Sequence, residues 1–290
     1  MRSILLLLTL LLSYVAQAAT PPQLVLDVAR FRNEDMAVKG AVIELYATVP
    51  GQSLTYKRRA PKVFQAAASI TLEIIREDGS AAYQETITLK PPVLSDTSVS
   101  LKNPVSFQKL ILLPDGKYTL RGQVRDQYRA GQNNVVEQPL LVESAAKSVG
   151  LSDVVLLSRA ASKSGEQSNF ARGGFSLTRA AGGLYGRGAD KAFFYAELYN
   201  LKPDQTAQLR YRLRQDGMKK DALTSNATIQ GVVGLRTPVV GSLDMNKLPG
   251  GDYTLTIEVR DAKNKLVSSQ IARLRRNVAE YAPVGVVAPR

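Results

Sequence analysis

The sequence predicts an all-β protein made of two tandem immunoglobulin-like or fibronectin-like antiparallel β-sandwich domains. Three observations predict it. Short runs alternate apolar and polar residues, as in Gln23-Leu24-Val25-Leu26-Asp27-Val28, Ile70-Thr71-Leu72-Glu73-Ile74 and Tyr253-Thr254-Leu255-Thr256-Ile257-Glu258-Val259; period two is the signature of half-buried strands. The dipeptides Asp78-Gly79, Asp115-Gly116, Asp216-Gly217 and Gly250-Gly251 fall between such runs, where tight turns need residues that tolerate positive φ. The third observation is an internal repeat. Leu113-Pro114-Asp115-Gly116-Lys117-Tyr118-Thr119-Leu120, with Val124 and Asp126, recurs at one constant offset as Leu248-Pro249-Gly250-Gly251-Asp252-Tyr253-Thr254-Leu255, with Val259 and Asp261. Glu44-Leu45-Tyr46 and Glu197-Leu198-Tyr199 keep the same order.

Residues 1–18 read as a signal peptide. A basic start (Arg2), an apolar run from Ile4 to Leu12 and the small residues Ala16-x-Ala18 precede a polar segment. The run is shorter than the roughly 20 residues a membrane-spanning helix needs. The expected mature chain is exported, has no transmembrane segment, and resides in the periplasm or at the outer membrane or surface of a Gram-negative cell.

The first sandwich is expected over 20–147. Alternation sets Glu44 with Val42 and Tyr46 on one strand face, leaving Ile43, Leu45 and Ala47 for the core. Lys57-Arg58-Arg59 with Lys62 forms a basic cluster. In the Leu-Pro-x-Gly-x-Tyr-x-Leu segment, Tyr118 is expected at a sandwich corner, its ring buried and its hydroxyl returned to nearby backbone as a structural device.

The second sandwich is expected over 150–277, with a long glycine-rich, basic loop at 158–191 that carries Phe170, Phe175 and Tyr185 and is read as mobile. Its Tyr195, Glu197 and Tyr199 form a stripe on the face opposite Phe194, Ala196 and Leu198. That stripe is read as an outer face, packed or facing the other domain, with sugar or partner binding as the alternative. Arg210, Arg212 and Arg214 alternate along one strand face, and Arg273-Leu274-Arg275-Arg276 adds further charge. Tyr253 is the second expected corner. An extended tail occupies 278–290, where Val284-Gly285-Val286-Val287 has the character of a segment that pairs with an open sheet edge.

Composition narrows the chemistry. The 290 residues include no His, Cys or Trp, and 38 Lys and Arg against 25 Asp and Glu leave a formal net charge of +13. No imidazole or thiol means no Ser-His-Asp or Cys-His nucleophile, no Cys or His metal cage and no disulfide. No acidic cluster has the spacing of a Ca²⁺ loop, so neither metal nor cofactor is expected. Two Ser-x-x-Lys matches, Ser106–Lys109 and Ser144–Lys147, do not read as acylating sites: the chemistry needs Ser and Lys one helical turn apart, and Ser106 lies in a strand-like run. The glycines of 158–191 lack the strand-before, helix-after setting of a phosphate cradle.

Leu26 to Arg32, Ile43-Glu44-Leu45-Tyr46, Val49-Pro50-Gly51, Phe64-Gln65-Ala66, Pro92-Val93-Leu94-x-Asp96-Thr97, the Leu113–Leu120 segment, Leu151-Ser152-Asp153-Val154 and Phe194–Leu201 together resemble the amino-terminal β-rich region of the exported G-W-x-T-D-domain proteins of Bacteroidota and related bacteria. The resemblance spans roughly 22–270. The naming Gly-Trp-x-Thr-Asp segment is absent, as it must be in a chain without Trp. The resemblance implies a fold and an exported setting, and no reaction.

The function expected from these readings is non-enzymatic: a binding or structural protein of the cell envelope that engages an envelope protein or an anionic polysaccharide or lipopolysaccharide through Lys57, Arg58, Arg59, Lys62, Arg210, Arg212 and Arg214. A basic surface attracts polyanions, and nucleic acid is not expected, since the chain reads as exported and has no nucleic-acid motif. Two alternatives stand beside it: a periplasmic assembly chaperone-like protein, and a glycan-binding or carbohydrate-active module using Glu197 or Asp153 with flanking tyrosines.

Overall fold

The computed structural model describes residues 21–278 except 36, 100–101, 145–146, 164–170 and 235. The expected signal peptide, Phe170 and all of the tail beyond Val278 lie outside the described residues. Among the described residues every regular element is a strand or a short 3-10 turn.

The first half contains β1 (Val25–Arg32), β2 (Ala41–Val49), β3 (Lys57–Ala60), β4 (Val63–Gln65), β5 (Ala68–Arg76), β6 (Ala81–Leu89), β7 (Val105–Leu113), β8 (Gly116–Asp126) and β9 (Asn133–Val142). One antiparallel sheet has the order β1-β2-β7 and the facing sheet the order β6-β5-β8-β9, while β3 and β4 form a separate hairpin. Ile43 and Leu45 on β2 meet Ile70, Leu72 and Ile74 on β5 and Leu120 and Val124 on β8 in the sandwich core. Alternation puts them there, since every second side chain of each strand turns to the facing sheet.

The second half contains β10 (Gly150–Leu151), β11 (Val155–Leu157), β12 (Ser162–Lys163), β13 (Ala171–Arg172), β14 (Phe175–Ser176), β15 (Leu184–Tyr185), β16 (Lys191–Tyr199), β17 (Thr206–Gln215), β18 (Leu223–Gln230), β19 (Arg236–Asp244), β20 (Gly251–Arg260) and β21 (Leu266–Arg276). Its strand order repeats that of the first half: β10 and β11, then β16, then β19 in one sheet, and β18-β17-β20-β21 in the other, with β15 added in parallel at the β21 edge. Phe194, Ala196 and Leu198 on β16 enclose a core with Leu213, Leu255, Ile257 and Val259. Tyr211 meets Phe194 edge-on at 5.0 Å, and burial pushes its hydroxyl up to about 12.

Each half closes the same corner. The Tyr118 hydroxyl donates to the Pro114 carbonyl at 3.0 Å and that of Tyr253 to the Pro249 carbonyl at 2.8 Å. A buried ring with its one polar atom returned to backbone fixes the approach of β8 and β20 to their sandwiches. Gly79 and Gly217 take positive φ in the turns that follow β5 and β17, the conformation those turns favour.

The 158–191 segment departs from the mobile loop the composition predicts. Its described part is tied down: β12, β14 and β13 form a small sheet, and Tyr185, 2% exposed, donates to the Leu157 and Phe193 carbonyls. A 3-10 turn at Ala181–Gly183 precedes Tyr185, with the Gly182 N–H bonded to the Asp27 carboxylate of the first half. Backbone that finds partners of this kind loses the freedom its glycines allow.

Candidate functional site: a buried ionic junction between the two sandwiches

The outer face of β1 and β2 meets the outer face of β11 and β16, with described parts of the 158–191 segment, Arg172 among them, laid between them. Ala29 and Phe31 of β1, Val155 and Leu157 of β11, Leu177 and Tyr195 make the apolar part of this junction. Its polar part is built from the two repeated Glu-Leu-Tyr segments. Leu45 and Leu198 turn into their own cores, so Glu44, Tyr46, Glu197 and Tyr199 turn the other way, toward the junction.

Arg172, at the end of β13, joins the two carboxylates. Its Nη1 donates to Glu44 Oε1 at 2.8 Å and its Nε to Glu197 Oε1 at 2.8 Å, with Nη2 to Glu197 Oε2 at 3.3 Å. Glu44 is 2% and Glu197 0% exposed. The guanidinium carbon stands 3.6 Å from the centre of the Phe31 ring. Burial opposes the charge of Arg172, but the Glu197 and Glu44 carboxylates outweigh it and raise its pKa above the usual arginine value. The tyrosines complete the set: Tyr46 donates to Glu44, Tyr195 to Glu197 Oε1 at 3.1 Å, and Tyr199 to Glu197 Oε2 at 2.7 Å. Burial and the adjacent carboxylates push all three hydroxyls upward, so they are proton donors at any physiological pH. Arg236 approaches Glu197 at 3.7 Å and also pairs with Glu34 of the first half.

A second ionic tie lies beside the first. Asp153 accepts from the Arg30 backbone N–H at 2.9 Å, from its Nε at 2.8 Å and from its Nη2 at 2.9 Å, while the Asp153 N–H donates to the Arg30 carbonyl at 3.2 Å. Hydrogen bonding to Asp153, opposed in part by burial, raises the Arg30 pKa. The Tyr199 hydroxyl also accepts from the Arg32 N–H at 3.0 Å. The Arg30–Asp153 and Arg32–Tyr199 contacts both join residues more than 100 positions apart in sequence.

The expected site residues fall into separate places. Tyr195, Glu197 and Tyr199 do lie opposite their sandwich core, but they are not an outer face open to ligands: the first half and the described part of the 158–191 segment cover them, leaving 0%, 0% and 4% exposed. Both candidate carboxylates of a glycan-cleaving site, Glu197 and Asp153, already have guanidinium partners. Arg212 is likewise engaged, bonded to Asp221 and Glu258 at 2.8 Å each, which raises its pKa and, despite burial, lowers that of Glu258. It is therefore withdrawn from the basic stripe expected with Arg210 and Arg214, of which Arg210 is half-buried and Arg214 exposed.

Lys57, Arg58 and Arg59 are exposed on β3, and Lys62 is exposed in the turn to β4. Tyr128, after β8, lies under this hairpin: Lys57 and Arg59 stand 5.2 and 4.9 Å from its ring centre, and Arg59 also donates to its hydroxyl. The hairpin and the Arg210–Arg214 stripe belong to different sheets in different halves. Of the Ser-x-x-Lys pairs, Ser106 and Lys109 share β7, where positions three apart face opposite ways, and Lys109 pairs with Glu85 at 3.0 Å. The second pair includes residues 145–146, outside the described residues; its Ser144 bonds Asp115 and Gly40.

Arg172, Arg30 and Arg236 were not among the residues singled out from sequence. The available signal was charge balance, since two acids turned onto one buried face require a cation.

No family model matches the chain, and no curated protein matches it. Among solved structures it is similar to red sea bream transglutaminase (TM-score 0.25, 10% identity, 89% of this chain and 31% of that one). It is also similar to a calcium-binding mutant of Bacteroides uniformis β-glucuronidase 2 (TM-score 0.27, 11% identity, 84% and 28%). A third likeness is to a Mobiluncus mulieris adhesin with intramolecular disulfide, isopeptide and ester cross-links (TM-score 0.25, 8% identity, 89% and 99%). The chain spans less than a third of the first two, and likenesses at such TM-scores say nothing of function. No helix among the described residues is long and apolar enough to cross a membrane.

Proposed function

We propose that this is an exported, non-enzymatic binding protein of a bacterial cell envelope, whose two sandwiches are locked into one scaffold by the Arg172 junction and which engages an anionic polysaccharide, lipopolysaccharide or acidic envelope protein through the β3–β4 hairpin. The observation that carries the reading is the hairpin itself. Four cations, Lys57, Arg58, Arg59 and Lys62, stand exposed with no acid between Thr55 and Ala68. Lys62 follows Pro61 at the tip with φ of 56°, a left-handed turn position that Gly or Asn occupies at lower energy. The lysine places a charge at the tip despite that backbone cost. The non-enzymatic reading is supported by Glu44, Glu197 and Asp153, whose oxygens are occupied by arginines and tyrosines.

The test is retention of the full chain on lipopolysaccharide-coated beads and from envelope extracts, at low and high salt, for the natural protein and for a variant with Lys57, Arg58, Arg59 and Lys62 each changed to Glu. Salt-sensitive retention that the variant loses is the expected result. No retention of either protein at low salt overturns the reading.

A further inference from the structure

Between the two halves runs a groove of about 500 Å³, walled by β1, the end of β9, residues 153–156, the Arg179–Gly183 stretch and the middle of β21. That is within the ~300–1,000 Å³ of small-molecule sites, which favour domain junctions. Both acids on its walls are in use: Asp153 holds Arg30, and Asp27 accepts the Gly182 N–H. Arg179 has the Tyr46 hydroxyl as a polar neighbour but no carboxylate at ion-pair distance among the described residues. Its guanidinium carbon lies 3.9 Å from the centre of the Tyr46 ring, and its Nε and Nη1 are buried without a hydrogen-bond acceptor. Arg179 as a whole is half-buried, and an oxyanion that reaches its guanidinium relieves the penalty of these unmet donors. Arg273 also lines the groove. Leu141 on β9 and Ile271 on β21, 43% and 57% exposed, give its walls two uncovered aliphatic side chains. An added strand is a poor occupant of the β9 wall: Pro139 has no N–H to offer, and the Leu141 carbonyl accepts from Arg30 at 3.0 Å.

We propose that this groove binds a small soluble anionic amphiphile, its carboxylate-, phosphate- or sulfonate-type head taken by Arg179 and its apolar body resting on Leu141 and Ile271. The site is distinct from the β3–β4 hairpin and does not depend on what the hairpin binds. Fluorescence titration of the full chain with anilinonaphthalene sulfonate tests it, with phenylnaphthylamine as the neutral analogue. One saturable site per chain is expected, with the neutral analogue and Arg179→Gln each weakening binding by roughly tenfold or more, as loss of a charged hydrogen bond does, and Ile271→Glu weakening it similarly by replacing apolar wall with a charge that repels the anion. The variant with four Glu in the hairpin is expected to bind as the natural chain does, even though it fails the lipopolysaccharide test. Should Arg179→Gln fail to fold, Ile271→Glu, an exposed position, decides alone. The proposal is overturned if the natural chain shows no saturable binding, if the groove variants bind like the natural chain, or if the hairpin variant is the one that loses the probe.

Discussion

Replacing Arg172 by Met keeps the bulk of the side chain and removes the one cation shared by Glu44 and Glu197. Three hydrogen bonds of 2.8, 2.8 and 3.3 Å disappear, and two carboxylates that are 2% and 0% exposed lose their main counter-charge. Removing one partner of a buried ion pair costs about 3–5 kcal/mol, because the remaining charge is stranded out of water. The tyrosine hydroxyls stay in place and Arg236 remains 3.7 Å from Glu197, which puts the loss toward the lower end, about 3 kcal/mol. At ~2–4 °C per kcal/mol for chains of 150–250 residues, the melting temperature falls by roughly 6–12 °C. Urea unfolding followed by tyrosine fluorescence and circular dichroism measures the loss directly. It also shows whether the single transition expected of the natural chain splits into two as the halves uncouple. Changing Glu44 and Glu197 to Gln in the same chain removes the stranded charges and is expected to restore most of the stability. A stability within about 1 kcal/mol of the natural chain for Arg172→Met alone, with an unchanged single transition, would refute the account of the junction.

Tyr253→Phe deletes the bond to the Pro249 carbonyl inside the second sandwich and should cost about 1 kcal/mol in chemical unfolding; Tyr118→Phe should cost less, its ring being 8% exposed against 0%. Gly173→Ala would bring a Cβ to 2.2 Å from the Tyr195 hydroxyl at a φ of 56°, a loss of about 2–3 kcal/mol from overpacking and left-handed strain together. Gly174→Ala, where nothing stands within 4 Å, should lose only the backbone part, about 1 kcal/mol, and equal losses at the two positions would contradict the close packing at Gly173. Arg212 holds the Asp221 and Glu258 pKa values below the usual carboxylate range. Its contribution is thus fully present above the unfolded values of about 4 and is lost as pH falls through the lower folded values. Melting curves of Arg212→Gln should fall below those of the natural chain at pH 7 and converge with them below about pH 4; a constant gap across that range would exclude the linkage.

The sandwiches were legible because their information is local. Period two sorts Phe194, Ala196 and Leu198 from Tyr195, Glu197 and Tyr199 without knowledge of any other strand, and the Leu-Pro-x-Gly-x-Tyr segments carry their corner within a few residues. The same periodicity says nothing about what is laid over the far side of a sheet. Nothing within the stripe itself distinguished a solvated face from a covered one. Arg172 was hidden for a related reason: β13 and β14 are two residues each, too short to show alternation, so a glycine-rich stretch with scattered arginines reads as a loop. The pairing of Arg30 with Asp153 spans 123 residues and has no local trace. The basic hairpin was legible as charge, whereas the engagement of Arg212 was not, since Asp221 and Glu258 reach it from a turn and from a neighbouring strand.

The Glu-Leu-Tyr segment occurs once in each half, and both copies turn the same face to the same junction. Where two copies of one unit meet through equivalent surfaces, a charge near the centre of that surface comes against its own kind. Glu44 and Glu197 are such a collision between like charges, held on a single guanidinium. Arg172 belongs to the segment that interrupts the second half and has no counterpart in the first. A carboxylate kept in both copies leaves a repulsion between them, which is relieved either by neutralising both or by one cation placed between the two. An asymmetric insertion resolves it with one added cation. The departure from repeat symmetry is therefore what allows the two equivalent faces to stay together.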